Sequence, residues 1–151
     1  MNDLRTNPPL LNMTLEPREY RTAIATLVRA RPNLLEIRYD AGSTMTIWTV
    51  TEAQEMRRRI MDEARYGTLT LIPEDVDFQM NTMKVDHLAA DRSQAQIMAT
   101  AVVARANMLE MLVKLYFSYY PAMHRILVTD NEAEARAWLD AQLEEIARTG
   151  S

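Results

Sequence analysis

Gln96-Ile97-Met98-Ala99-Thr100-Ala101-Val102-Val103-Ala104 is an uninterrupted run of small and β-branched residues bounded by polar ones. A strand with one wet face alternates apolar and polar residues. This run does not, so it reads as a strand covered on both faces, the mark of a sheet with helices packed on it. On its far side Asn107 can cap a helix in which Met108, Met111, Leu112, Leu115 and Tyr119 keep one face, with Glu110 and Lys114 as an i,i+4 pair on the other. Tyr120-Pro121 breaks that helix, and Arg125 to Val128 makes a short strand. Thr129 and Glu132 form a capping box for a last helix whose buried stripe is Ala135, Trp138, Leu139, Gln142, Leu143 and Ile146.

Upstream of the central run, Thr68 to Ile72 alternates as a strand that Pro73 ends, and Glu74 to Asn81 is a polar loop. Met83, Val85, Leu88 and Ala89 suggest a short helix reaching about Arg92. Before that strand a helix opens at Thr51 with Gln54, or at Thr49 with Glu52. It runs along Ala53, Met56, Ile60, Met61 and Ala64, and Gly67 is placed to stop it. Thr44 to Val50 is extended-looking, and Gly42-Ser43 marks a turn. Tyr20 to Arg29 and Leu34 to Tyr39, joined by the turn tripeptide Arg31-Pro32-Asn33, read as a β-hairpin. Ala23, Leu27 and Ala30 also fit a helix over residues 17–30, so both readings stand at this point. Residues 1–18, marked by Pro8, Pro9 and Pro17, form an N-terminal arm, flexible or docked, and 19–149 form one domain. Strands alternating with helices after a hairpin imply an α/β fold: a small mixed sheet of four to five strands with helices packed on it.

Composition narrows the chemistry. The 151 residues are 48% hydrophobic and 25% charged, with a net charge of −4. With no cysteine there is no thiolate metal site, disulfide or thiol nucleophile. Three isolated glycines, Gly42, Gly67 and Gly150, exclude a glycine-rich phosphate loop. No apolar run approaches the roughly 18 residues of a membrane span, and no leader pattern is present, so a cytoplasmic location is expected. A mildly acidic balance argues against nucleic acid as a partner. The triplet Arg57-Arg58-Arg59, set among Glu52, Glu55, Asp62 and Glu63, reads as the solvated face of a helix.

Three groups of residues can carry chemistry. Glu74, Asp75 and Asp77 follow a parallel strand, where ligands bind in open α/β sheets, and carboxylates there could hold magnesium; a solvated loop is the simpler account of them. His87 has Asp91 four residues on, a spacing that can orient an imidazole, but no nucleophile is near it in sequence; His124 reads as a strand-end residue. Met80, Met83, Met98, Met108, Met111 and Met123 cluster in one third of the chain with Tyr116, Phe117, Tyr119 and Tyr120. Thioethers fill irregular cores more often than they line binding surfaces, so these read mainly as core. At least one of the aromatics must nonetheless lie near the surface, since adjacent residues cannot share a helix face.

The ending Arg125-Ile126-Leu127-Val128-Thr129-Asp130-Asn131-Glu132-Ala133-Glu134-Ala135-Arg136-Ala137-Trp138-Leu139 resembles that of SpoIIAA-like, STAS-type domains, in which a strand, an acidic turn and E-A-x-x-W-L close the fold. The likeness extends in element order over about residues 20–147. It implies a non-enzymatic protein-binding module of bacterial signalling, with a protein partner and no cofactor. In the best-known members a serine at the start of the short helix after the third strand is phosphorylated. The matching segment here, Asp77-Phe78-Gln79-Met80-Asn81-Thr82-Met83, has no serine and no glycine, and Thr82 is its one hydroxyl. Asp75, Asp77, Asn81 and Thr82 are thus the candidate phosphoacceptor or partner surface. Met108, Met111, Tyr116 and Tyr119 are the candidate surface for a small apolar ligand, the second reading, and a magnesium- or histidine-dependent enzyme is the third. An edge strand of the hairpin could pair two copies into a homodimer.

Overall fold

A computed structural model describes residues 18–92 and 94–150. The expected N-terminal arm lies outside the described residues except for Arg18. The strands are β1 (Glu19–Arg21), β2 (Ala25–Arg31), β3 (Leu34–Tyr39), β4 (Thr44–Met45), β5 (Tyr66–Ile72), β6 (Asp77–Phe78), β7 (Ile97–Ala104) and β8 (Arg125–Thr129). The helices are α1 (Ile47–Met61), α2 (Ala89–Arg92), α3 (Asn107–Tyr119) and α4 (Glu132–Thr149), with a 3-10 turn at Met80–Lys84.

Six strands form the main sheet in the order β1-β2-β3-β5-β7-β8, more than the four or five expected, and β4 and β6 make a separate two-stranded parallel ladder. β1, β2 and β3 are antiparallel, while β5, β7 and β8 add in parallel. The hairpin reading is therefore correct, and the helix over 17–30 does not form. Ala25, Leu27 and Arg29, two residues apart, share one face of β2: Ala25 and Leu27 are fully buried in the core there, and Arg29 donates to the carbonyls of Ile60 and Pro32.

The central run is β7, flanked on both sides and buried along almost its whole length. One sheet face, with Leu34, Leu69, Ala99, Ala101 and Val103, packs against Ala135, Leu139 and Leu143 of α4. The other, with Ile37, Tyr39, Ile72 and Val102, packs under α1 and α3. The alanines of β7 let α4 approach closely, and β5 contributes Gly67 to the same contact. Gly67 does not stop α1, as the sequence suggested. It sits inside β5, where an added Cβ would lie 3.0 Å from Leu139 Cδ1, 3.2 Å from Leu143 Cδ2 and 3.3 Å from the Ala99 carbonyl oxygen. The helix ends instead at Asp62, in a positive-φ conformation, with its N–H bonded to the Arg58 carbonyl. The Gln96 side-chain amide donates to the carbonyls of Asp62 and Ala64 beyond it.

Three helix starts also differ from the sequence reading, α4 included, where Thr129 with Glu132 is not the capping box. α1 begins earlier than expected, its capping box formed by Thr46 and Thr49: each backbone N–H donates to the other's hydroxyl, at 2.8 and 3.1 Å. α3 has no side-chain cap, since Asn107 is already its first helical residue. At α4 the cap is Asn131, which accepts from Glu134 N–H at 2.9 Å. Thr129 stands just before it and accepts from Asn131 N–H. The stripe expected for α4 is the one found, and Glu36 of β3, itself buried, accepts from Arg136 of α4 and from Arg38.

Because Gly67 holds α4 against the sheet with no room for a methyl group, Gly67→Ala should lower unfolding stability by about 1–2 kcal/mol even though alanine suits a strand better than glycine. Urea denaturation measures it, and an unchanged midpoint would show that α4 can shift freely.

Candidate functional site

The side of the sheet covered by α1 and α3 carries nearly all of the unusual chemistry. It starts from Arg57. The buried stripe of α1 is Val50, Ala53, Arg57 and Met61, so the arginine occupies a core position and is only 1% exposed. The triplet is thus not one solvated face: Arg57 is buried, Arg58 is half-buried, and Arg59 alone is exposed. Arg57 Nη2 and Nη1 donate to the Asp91 carboxylate at 2.7 and 3.0 Å, Nη1 also to the Tyr66 hydroxyl at 2.8 Å, and Nε to Gln54 Oε1 at 2.8 Å. Arg58 adds bonds to the same carboxylate and to the His87 carbonyl. Burial opposes the charged forms, yet the paired guanidinium groups hold Asp91 below the usual carboxylate range. Burial raises the Tyr66 phenol.

Asp91 therefore does not orient His87. The His87 ring lies against Tyr116, with Nε2 3.0 Å from the Thr82 carbonyl. An acceptor on that side makes Nε2 the donor. Burial lowers the His87 pKa, favouring the neutral ring. The Tyr116 hydroxyl donates to the Val85 carbonyl at 2.9 Å and accepts from His87 N–H at 2.8 Å, and burial pushes its pKa up to about 12. His124 is more than a strand-end residue. Its Nε2 is 2.9 Å from the Thr100 hydroxyl, which is 2.8 Å from the Thr68 hydroxyl, so Thr68 and Thr100 on neighbouring strands and His124 just before β8 form a chain. Burial, with Arg57 nearby, lowers the His124 pKa to about 4.

Between this sheet face and the helices lies a cavity of about 130 Å³. The sheet contributes Thr68, Thr70, Thr100 and Val102 to it, α3 contributes Leu112, Val113, Tyr116 and Phe117, and the 80s segment contributes Thr82, His87 and Leu88.

The candidate partner surface divides. Asp75, Asp77 and Asn81 are exposed, but Thr82 is 3% exposed and its hydroxyl donates to the Met45 carbonyl. The hydroxyl is turned into the core, out of reach of a modifying enzyme, and Thr82 lies inside a short 3-10 turn rather than at the start of a helix. Among the described residues, no group of three or more carboxylates or histidines could hold a metal ion. Nor is any described helix long and apolar enough to cross a membrane.

The candidate apolar-ligand surface divides as well. Tyr116 faces the cavity, whereas Met108, Met111 and Tyr119 face solvent at 68, 63 and 77% exposure, joined by Leu115 at 51%. Of the stripe expected to pack, all but Leu112 lies on the outward face. The inward face is Leu109, Leu112, Val113, Tyr116 and Phe117. Met80 and Met123 are exposed too, so four of the six clustered methionines are not core. Glu110 and Lys114 do pair, at 3.2 Å.

Sequence reasoning missed Arg57 and the Thr68–Thr100–His124 chain. A signal for the arginine existed: it stands four residues after Ala53 and four before Met61, on the core stripe once that stripe is phased from Val50. The hydroxyl chain had no local signal, since its members meet only through strand register.

Two measurements check these interactions. Asp91→Ala leaves Arg57 buried without its counter-charge and should cost about 3–5 kcal/mol, whereas the Arg57→Met/Asp91→Leu pair should recover most of that. Equal loss in the single and double variants would show that the charge itself is not the problem. For His124, the folded pKa lies below the unfolded one, so from about pH 6.5 down towards about 4 the unfolded chain takes up a proton that the folded chain refuses. Stability should fall by about 2 kcal/mol between pH 7 and 4.5, and the slope should be visibly shallower in His124→Gln. Parallel profiles would remove His124 as the source.

No family model matches the chain, and no curated protein matches it. Among solved structures it is similar to an uncharacterized protein of the DUF3478 family, with a SpoIIAA-like fold, from Shewanella loihica PV-4. The TM-score is 0.51 at 9% identity, over 82% of this chain and 92% of that one. At that identity the likeness speaks for architecture alone: the chain has a SpoIIAA-like fold.

Proposed function

We propose that this SpoIIAA-like domain is a non-catalytic protein-binding module and that it docks its partner through the outward face of α3. One observation carries the reading: Met108, Met111, Leu115 and Tyr119, at i, i+3, i+7 and i+11, form an exposed apolar stripe along a helix whose opposite face is already packed. A stripe with that spacing fits an apolar groove that takes a helix, the arrangement by which one protein reads an amphipathic helix of another. The flanking charges, Glu110 and Lys114, neutralise each other, so the occupant that fits is a protein with an uncharged apolar groove rather than a polyanion or a polycation. Methionine supports such a role because its flexible thioether adapts to the surface it meets.

The rival docking surface is the acidic loop with Asp75 and Asp77, the site that the resemblance favours. Support for a non-catalytic role comes from how the candidate groups are occupied. The Asp91 carboxylate is taken up by two arginines, and the His87 Nε2 by a backbone carbonyl.

The test places a photo-crosslinking amino acid at position 111 in the producing cells, identifies the captured protein and measures its affinity for purified variants. Met111→Glu/Tyr119→Glu should weaken binding at least tenfold while leaving the melting temperature nearly unchanged, because both positions are exposed. Asp75→Asn/Asp77→Asn should bind normally. Loss confined to the acidic-loop variant, or a crosslink only to a second copy of the chain, would overturn the proposed surface.

A further inference from the structure

The cavity under α1 and α3 is separate from the outward face of α3 and has a character of its own. We infer that it is a binding site for a neutral organic molecule of single-ring size, apolar over most of its surface and carrying one hydroxyl-type group directed at Thr70.

Size sets the first limit. About 130 Å³ is close to the roughly 150 Å³ of an engineered apolar protein cavity that stays dry and takes up benzene. Most of the wall is aliphatic or aromatic, from Val102 of the sheet to Leu112, Val113 and Phe117 of α3. Such a wall gives water few partners and favours an apolar occupant.

Charge sets the second limit. Among the described residues the one cation on the wall, Arg57, is already balanced by Asp91. His87 and His124 are both held towards their neutral forms by burial. An ionised ligand would surrender its hydration without gaining a free counter-charge, which is costly in a buried site.

Polarity then fixes the orientation. The Thr70 side chain lines the cavity, and among the described residues its hydroxyl has no hydrogen-bond partner. Beside it, Thr68 ends the chain that runs through Thr100 to His124. Thr100 has one hydrogen and two neighbours, so it donates to one and accepts from the other. If it donates to His124, Thr68 donates to Thr100 and shows the cavity a lone pair. If His124 donates, Thr68 is left with a free hydrogen. The neutral imidazole allows both tautomers, so this end of the cavity can meet either an acceptor or a donor.

The purified full chain is titrated by calorimetry with phenol, toluene and benzoate, with the thermal midpoint followed in parallel. Phenol and toluene should bind and raise the midpoint, and benzoate should bind at least tenfold more weakly than phenol. Val102→Phe, which fills the space, should abolish binding of both neutral probes. Thr70→Val, close in shape, should weaken phenol about fivefold to tenfold and leave toluene within twofold. The inference is overturned if neither neutral probe binds, if benzoate binds as tightly as phenol, or if binding survives in Val102→Phe. Should that variant not fold, unchanged phenol affinity in Thr70→Val overturns it as well. None of these results bears on the α3 docking surface, which the probes do not touch.

Discussion

A buried arginine organises half of this molecule. Arg57 sits on the core stripe of α1, and its guanidinium joins α1 to Tyr66 at the start of β5 and to Asp91 of α2. Taking such a group out of water is tolerable only when a carboxylate and further acceptors surround it. The segment between β6 and β7 is short of regular structure, and Asp91 is one of the points at which it is fastened. Arg58 reinforces the same anchor through the His87 carbonyl. Tyr116 and Tyr120 complete the fastening from α3, donating to the carbonyls of Val85 and Lys84. The cavity lies beneath the 80s segment that this polar frame fastens, between it, α3 and the sheet.

The opposite side of the sheet obeys different physics. There α4 lies directly on small residues, with Gly67, Ala99 and Ala101 allowing an approach that any larger side chain would block. That layer is dense and apolar, with the Glu36–Arg136 pair on its flank. The two faces thus differ in character: one is close-packed on small residues, and the other holds the cavity and the hydroxyl chain beneath a helix whose outward stripe is exposed.

Much of the fold was legible because it rests on local patterns. The unbroken run at β7 and the stripe of α4 each leave a local pattern that one element satisfies, whereas residues 17–30 fitted a strand or a helix and only the pairing of β2 with β3 decided between them. The candidate site was legible mainly in its membership. Thr82, His87, Met108, Met111, Tyr116 and Tyr119 are all in or beside it, but their orientations did not follow. Between Met108 and Tyr119 both helix faces are apolar, so periodicity could not say which one packs. Thr82 is a hydroxyl at the right place in the chain with the wrong exposure, and exposure is a property of what folds over it.

What the chain determined by itself is the alternation of its longer strands and helices, though not the short β1 and β6, and the exclusion of thiol and glycine-loop chemistry, since both follow from residue type and short-range spacing. Tertiary structure alone decided that Arg57 is buried, that Gly67 is a contact rather than a helix stop, and that Thr68, Thr100 and His124 form one chain. Each of these depends on partners far away in sequence: Asp91 is 34 residues from Arg57, and Leu139 meets Gly67 across the whole parallel half of the sheet. Burial and pairing are properties of the assembled layers, and no window along the chain contains them.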